Sequence, residues 1–145
     1  MPRGSFSHTV AVPAQPQEVW ERFQEPDTWQ GIGPIDDIAD VRVEGERLIS
    51  FTWNTHVGPT RYRGKSSMIE NHPPDRVVMR LDSNEMIGRL TVALTAVDAS
   101  TQVEVTLDYA TKGTMASLFF PVISQAIESG LGTQVDEFAA GWEAD

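Results

Sequence analysis

The stretch TMASLFFPVISQAIESGLGTQVDEFAAGW, residues 114–142, decides how this chain is read. Apolar side chains recur at Phe119, Ile123, Ile127, Leu131, Val135, Phe138 and Trp142. Steps of three and four put them along one face of a helix. This is the sequence's only long helical pattern, and it follows a series of strand-like runs. Pro121 lacks the N–H that a helix interior requires, which predicts a kink or a broken first turn over 117–121. Gly130 and Gly132 each cost about 1 kcal/mol relative to alanine within a helix. They serve either close packing against a sheet or room for a ligand. One helix must cover the face of an entire sheet, and that geometry predicts a curved grip around a cavity.

Outward from this helix, the rest of the chain alternates. Phe6, His8, Val10 and Val12 face one way and Ser7, Thr9 and Ala11 the other, the period of a half-buried strand. Pro13 ends it, and Pro16 opens a helix whose buried stripe is Val19, Trp20 and Phe23. Pro26-Asp27 opens a second short turn carrying Trp29, which Gly31, Gly33 and Pro34 terminate. Ala39 to Glu44 and Leu48 to His56 follow as strands on either side of Gly45, the second with Ile49, Phe51, Trp53 and Thr55 on one face. After Gly58-Pro59, Tyr62, Gly64, Ser66 and Met68 oppose a basic row of Arg61, Arg63 and Lys65. His72-Pro73-Pro74-Asp75 is a connection. Val77, Met79 and Leu81 form a short strand. Met86, Gly88, Leu90, Val92, Leu94 and Ala96 oppose Arg89, Thr91 and Thr95, and Val103, Val105, Leu107 and Tyr109 oppose Glu104, Thr106 and Asp108. Alternation this regular predicts an antiparallel meander with one wet and one dry face. The expected order is βααββββββα, and the fold class is α+β.

A length of 145 residues, with 40% hydrophobic and 22% charged residues, fits one globular domain spanning 1–145. No run approaches the roughly 20 apolar residues of a spanning helix, so stable membrane insertion is not expected. The first residues lack the apolar core of a secretory signal, and cytoplasmic residence is the default expectation. With no cysteine, disulfides, thiol nucleophiles and thiolate metal sites are excluded. A net charge of −10 repels phosphate backbones and anionic lipid at long range. No nucleic-acid partner is therefore expected, and the row Arg61, Arg63 and Lys65 reads as a solvated sheet exterior.

The opening Val10-Ala-Val-Pro-Ala-Gln-Pro-Gln-Glu-Val-Trp20, followed by Asp27-Thr-Trp29, resembles the START-like superfamily. That superfamily includes lipid-transfer domains, the birch pollen allergen class and polyketide cyclase/dehydrase-like bacterial proteins. Pro16, Val19, Trp20, Pro26, Asp27 and Trp29 occupy its motif positions. The hairpin Asp98-Ala-Ser-Thr-Gln-Val103 is similar to the turn before its last strand. The resemblance covers essentially the whole chain and implies a helix-grip fold, a curved antiparallel sheet wrapped around a long C-terminal helix with a central cavity. It leaves function open, because function belongs to the site and not to the fold.

The alternation, with the implied fold, nominates a ligand-binding lining of Phe51, Trp53, Tyr62, Ser66, Met68, Met79, Met86, Leu90, Val105, Leu107 and Tyr109. Phe119, Ile123 and Ile127 face it from the helix, and Trp29 is expected near the mouth. Aromatic and methionine surface suits a small apolar ligand, at about 25 cal/mol per Å² of apolar area buried; the same residues also suit a filled core. The fold implies a pocket of about 300–1,000 Å³. Buried hydroxyls on Tyr62, Ser66 and Tyr109 need partners, and one could orient a ligand carbonyl or phenol.

His8, Tyr62 and Tyr109, with His56, are the candidate acid–base groups, but no pair is recognisable in sequence. The three histidines lack metal-ligand spacing, so neither a metal nor a cofactor is expected. Asp36, Asp37 and Asp40 read as a solvated loop and strand start. Ser129 lacks a nucleophile elbow, and Gly130-Leu-Gly132 is not a dinucleotide loop. The expected partner is a small hydrophobic molecule, lipidic, aromatic or polyketide-like, held by a carrier or sensor. Two alternatives stay open: a polyketide cyclase/dehydrase-like enzyme using the same cavity, and a chaperone-activator-like interaction module. Oligomeric state is not legible.

Overall fold

The computed structural model describes residues 3–30, 35, 37–57, 60–84, 86–112, 114–118 and 120–143. Seven strands form one antiparallel sheet: β1 (Arg3–Val12), β2 (Ala39–Glu44), β3 (Arg47–Val57), β4 (Thr60–His72), β5 (Arg76–Ser83), β6 (Met86–Val97) and β7 (Ser100–Thr111). Their order across the sheet is β1-β7-β6-β5-β4-β3-β2. The meander from β2 to β7 is thus closed by β1, which pairs antiparallel with β7 from Arg3↔Ala110 to Val12↔Thr101. Helix α1 (Pro16–Arg22) and a 3₁₀ turn (Pro26–Trp29) separate β1 from β2.

The C-terminal pattern forms two helices, α2 (Thr114–Leu118) and α3 (Phe120–Glu143). Residue 119, between them, lies outside the described residues, and the kink or broken turn expected over 117–121 falls at that point. In α3, Ile123, Ile127, Leu131, Val135 and Ala139 are all buried. Four-residue spacing keeps them on one stripe, and each full burial of a large aliphatic is worth about 1.5–3 kcal/mol. The helix packs mainly along β1 and only lightly against β3.

Sheet alternation follows the sequence. On β7, Val103, Val105, Leu107 and Tyr109 are buried while Gln102, Glu104 and Asp108 are exposed. Strand β2, at one edge of the sheet, is exposed along its whole length. Polar bonds fasten α1 to the sheet. Trp20 Nε1 donates to Asn71 Oδ1 at 2.9 Å, and Asn71 Nδ2 donates to Gln24 Oε1 at 2.8 Å. The backbone N–H of Leu48 also donates to Gln24 Oε1 at 3.1 Å. Among the described residues, no helix is long and apolar enough to cross a membrane.

Candidate functional site

Strand register assembles the inner face in rows. One row runs Phe51–Ser66–Leu81–Gly88–Tyr109–Gly4 across six strands. Trp53 lies in the next row, opposite Gly64. Glycine is required there, since a Cβ on Gly64 would run into the six-membered ring of Trp53, which lies across the backbone. Gly4 gives Tyr109 the same seat. Between these rows and α3 is an apolar pocket lined by Trp53, Leu81, Ser83, Met86, Ile87, Gly88, Leu107, Tyr109 and Ile127.

The pocket's volume is about 20 Å³, room for about one water and far below the 300–1,000 Å³ of a formed ligand site. The large central cavity implied by the family resemblance is therefore not open in this conformation. The physical reason is local: the Trp53 indole lies flat on Gly64, and Met86, Leu107 and Ile127 converge on the space that remains.

Two buried polar atoms near this pocket have no hydrogen-bond partner, Trp53 Nε1 and Ser66 Oγ. Each such group costs about 1–3 kcal/mol when buried. The other polar groups are committed. The Tyr109 hydroxyl lies 2.8 Å from Ser124 Oγ, tying β7 to α3. Ser83 Oγ donates to the carbonyl of Met86 and accepts from its N–H, both at 2.9 Å, closing the β5–β6 hairpin. The lining's unspent capacity is thus one indole donor, with the Ser66 hydroxyl opposite Leu81 beside it; the third unpartnered buried atom among the described residues, Trp142 Nε1, lies outside this lining.

Of the residues nominated from sequence, Trp53, Met86, Leu107, Tyr109 and Ile127 come together around this pocket. Phe51, Ser66, Met79, Leu90, Val105 and Ile123 are buried but do not line it, and Met68 is half-buried. Trp29, expected near the mouth, is fully buried; its Nε1 donates to the Phe23 carbonyl at 2.9 Å and its ring lies 5.3 Å from that of Phe23. The side chains of Tyr62 and His56, and Phe119 and Asp36 entirely, lie outside the described residues.

His8 does face the helix, but at a distance from the pocket. Its Nε2 lies 2.8 Å from Asp136 Oδ1 on α3, with both side chains partly exposed. Gly132 lies beside the His8 ring, where a Cβ would make ordinary van der Waals contact, and nothing lies within 4 Å of a Cβ on Gly130, so close packing requires glycine at neither position. The lining residues Leu81, Ser83, Ile87 and Gly88 are not among those nominated from sequence. Leu81 and Gly88 are legible as inward positions, Ser83 ends a β5 that runs past the alternation of Val77, Met79 and Leu81, and Ile87 sits at a position of outward parity on β6. Among the described residues, no three His, Asp or Glu side chains gather in a metal-binding group.

A seven-stranded antiparallel sheet gripping a long C-terminal helix, with a pocket between them, defines the helix-grip class. The chain belongs to the family described as polyketide cyclase / dehydrase and lipid transport, whose model matches residues 3–142. Solved structures share the fold. A Thermus thermophilus protein superposes with a TM-score of 0.75 at 13% identity, covering 97% of this chain and 98% of its own. A START superfamily protein from Mycobacterium smegmatis gives 0.62 at 14%, covering 92% and 97%. The ZhuI aromatase/cyclase from Streptomyces sp. R1128 gives 0.60 at 15%, covering 92% and 94%. At such identities the likeness is one of fold. No curated protein matches the chain in sequence.

Proposed function

We propose that this protein binds a small, mainly apolar molecule bearing at least one hydrogen-bond acceptor, between the sheet and α3, as a carrier or sensor. The observation that carries the reading is the unpartnered buried Trp53 Nε1 on the lining of an apolar pocket, with a second such atom, Ser66 Oγ, on the strand position opposite the lining residue Leu81. A native core rarely leaves such groups unsatisfied, and an acceptor on a ligand would remove the cost. The family's lipid transport and polyketide chemistry, and the aromatase/cyclase named among its structural relatives, support a lipidic or polyketide-like ligand class.

The volume comes from side chains that move. Met86 has three rotatable bonds and a polarisable sulfur. The Trp53 ring, lifted from Gly64, frees the area it covers. A ligand that stabilises this open arrangement makes a minor conformation dominant.

The test is thermal unfolding against a library of lipidic and aromatic compounds. A ligand at 100 times its Kd adds about 2.7 kcal/mol, a shift of about 5–10 °C for a chain of this size. Ile127→Trp, which fills the pocket from the helix side, should abolish the shift. No shift with any compound, or an equal shift in Ile127→Trp, would reject the proposal. A catalytic reading requires an acid–base pair at the ligand. It has less support, because Tyr109 spends its hydroxyl on Ser124 and His8 pairs with Asp136 away from the pocket.

A further inference from the structure

The net charge of −10 conceals a separation of charge between the two faces of the molecule. From 113 to 145 the chain has no lysine or arginine, and on α3 Glu128, Asp136 and Glu137 are exposed. The outer face of the sheet carries a group of cations, alongside the carboxylates Asp82, Glu104 and Asp108. Register sets Ser67–Arg80–Arg89–Asp108–Ser5 in one cross-strand row and Lys65–Asp82–Ile87–Ala110–Arg3 in the next. Arg63 and Arg61 continue the cationic side of β4, and all six cations are exposed.

Arg80 and Arg89 are direct cross-strand neighbours, an arrangement that destabilises a sheet. Neither forms a salt bridge among the described residues. The two carboxylates in these rows are engaged elsewhere: Asp82 accepts from Lys112 Nζ and Asp108 from Ser5 Oγ, each at 2.7 Å. Exposed Ile69 and Ile87 lie among the cations and help line the same broad, shallow groove as Arg3, Arg80 and Arg89. From Lys65 on β4 to Arg3 on β1 the array crosses four strand spacings, about 19 Å.

We propose that this outer sheet face docks on an anionic phospholipid surface, with the acidic helix face turned away. Net repulsion is screened beyond about 8–10 Å at physiological salt, so the contacting face governs binding. The cations are spread over a shallow face instead of converging on a point, which suits a planar array of phosphates better than one small anion. Among the described residues, the large exposed apolar side chains are all aliphatic, and none offers a platform for stacking bases. Shallow contact of Ile69 and Ile87 with the interface needs no inserted helix. The inference is independent of what the pocket holds.

The test is co-sedimentation with vesicles of phosphatidylcholine, with and without about 30% phosphatidylglycerol, the latter at low and high salt. Binding should require the anionic lipid and be lost at high salt. At about fivefold for each cation near the surface, Arg80→Gln with Arg89→Gln should weaken it about thirtyfold. The same pair replaced by lysine should retain most binding, and Arg47→Gln should leave it unchanged. Loss of the like-charge pair should leave the melting temperature of the free double variant no lower than that of the native protein. Equal binding to both vesicle types, no binding to either, or unaltered binding by the double glutamine variant would overturn the proposal. Salt-sensitive binding of single-stranded DNA without vesicle binding would overturn it in favour of a nucleic-acid face.

Discussion

Ser66 sits at zero exposure on the inner face of β4 with an unpartnered hydroxyl, a position where alanine would satisfy packing at lower cost. Ser66→Ala removes the orphaned group, so the free protein should keep its stability or gain up to about 1 kcal/mol in urea unfolding. The same change should weaken ligand binding. A stability loss greater than about 1 kcal/mol would show that the hydroxyl has a structural partner in solution. Trp53 poses the same problem with a donor alone, since indole nitrogen accepts nothing. Its place across Gly64 was not legible in the sequence. Alternation correctly put both residues on the inner face, but it carries no information on how far a ring leans toward its neighbour. That lean separates a wide cavity from a pocket of about 20 Å³.

Individual elements were legible in proportion to the regularity of their patterns. The strands β6 and β7, the α1 stripe of Val19 and Trp20, and the buried stripe of α3 all follow from periodicity. Strand β2 alternates equally well in sequence yet buries neither Val41 nor Val43, because burial at an edge depends on what the helix reaches. Contacts between elements were not legible at all, among them Tyr109 with Ser124 and Asp82 with Lys112.

The second of these contacts makes an element-scale prediction. The hydrogen bond and charge of Lys112, just past β7, hold the Asp82 carboxyl on β5 below its ordinary value of 3.8, with Arg80 adding to the effect and burial opposing it. A depressed carboxylate contributes stability above its unfolded value and loses it as pH falls through the folded one. Lys112→Met should therefore cost up to about 1 kcal/mol near neutral pH, the pair being partly exposed. In urea titrations at several pH values, the difference from native should be constant above about pH 5 and shrink below 3.8. A pH-independent difference would assign the effect to packing of the lysine stem.

At the scale of the whole molecule, one architecture presents three surfaces: an apolar interior with unspent hydrogen-bonding groups, a cationic sheet exterior and an acidic helix exterior. Net charge, taken as a single number, argues against anionic partners; only the strand register reveals that the cations share a face. The central claim concerns the interior, and native mass spectrometry of protein purified from its own host tests it most directly. The account predicts a one-to-one adduct with a small organic molecule, released on unfolding and absent from Ile127→Trp purified in the same way. Bare polypeptide from the native protein, or the same adduct on the filled-pocket variant, would contradict it.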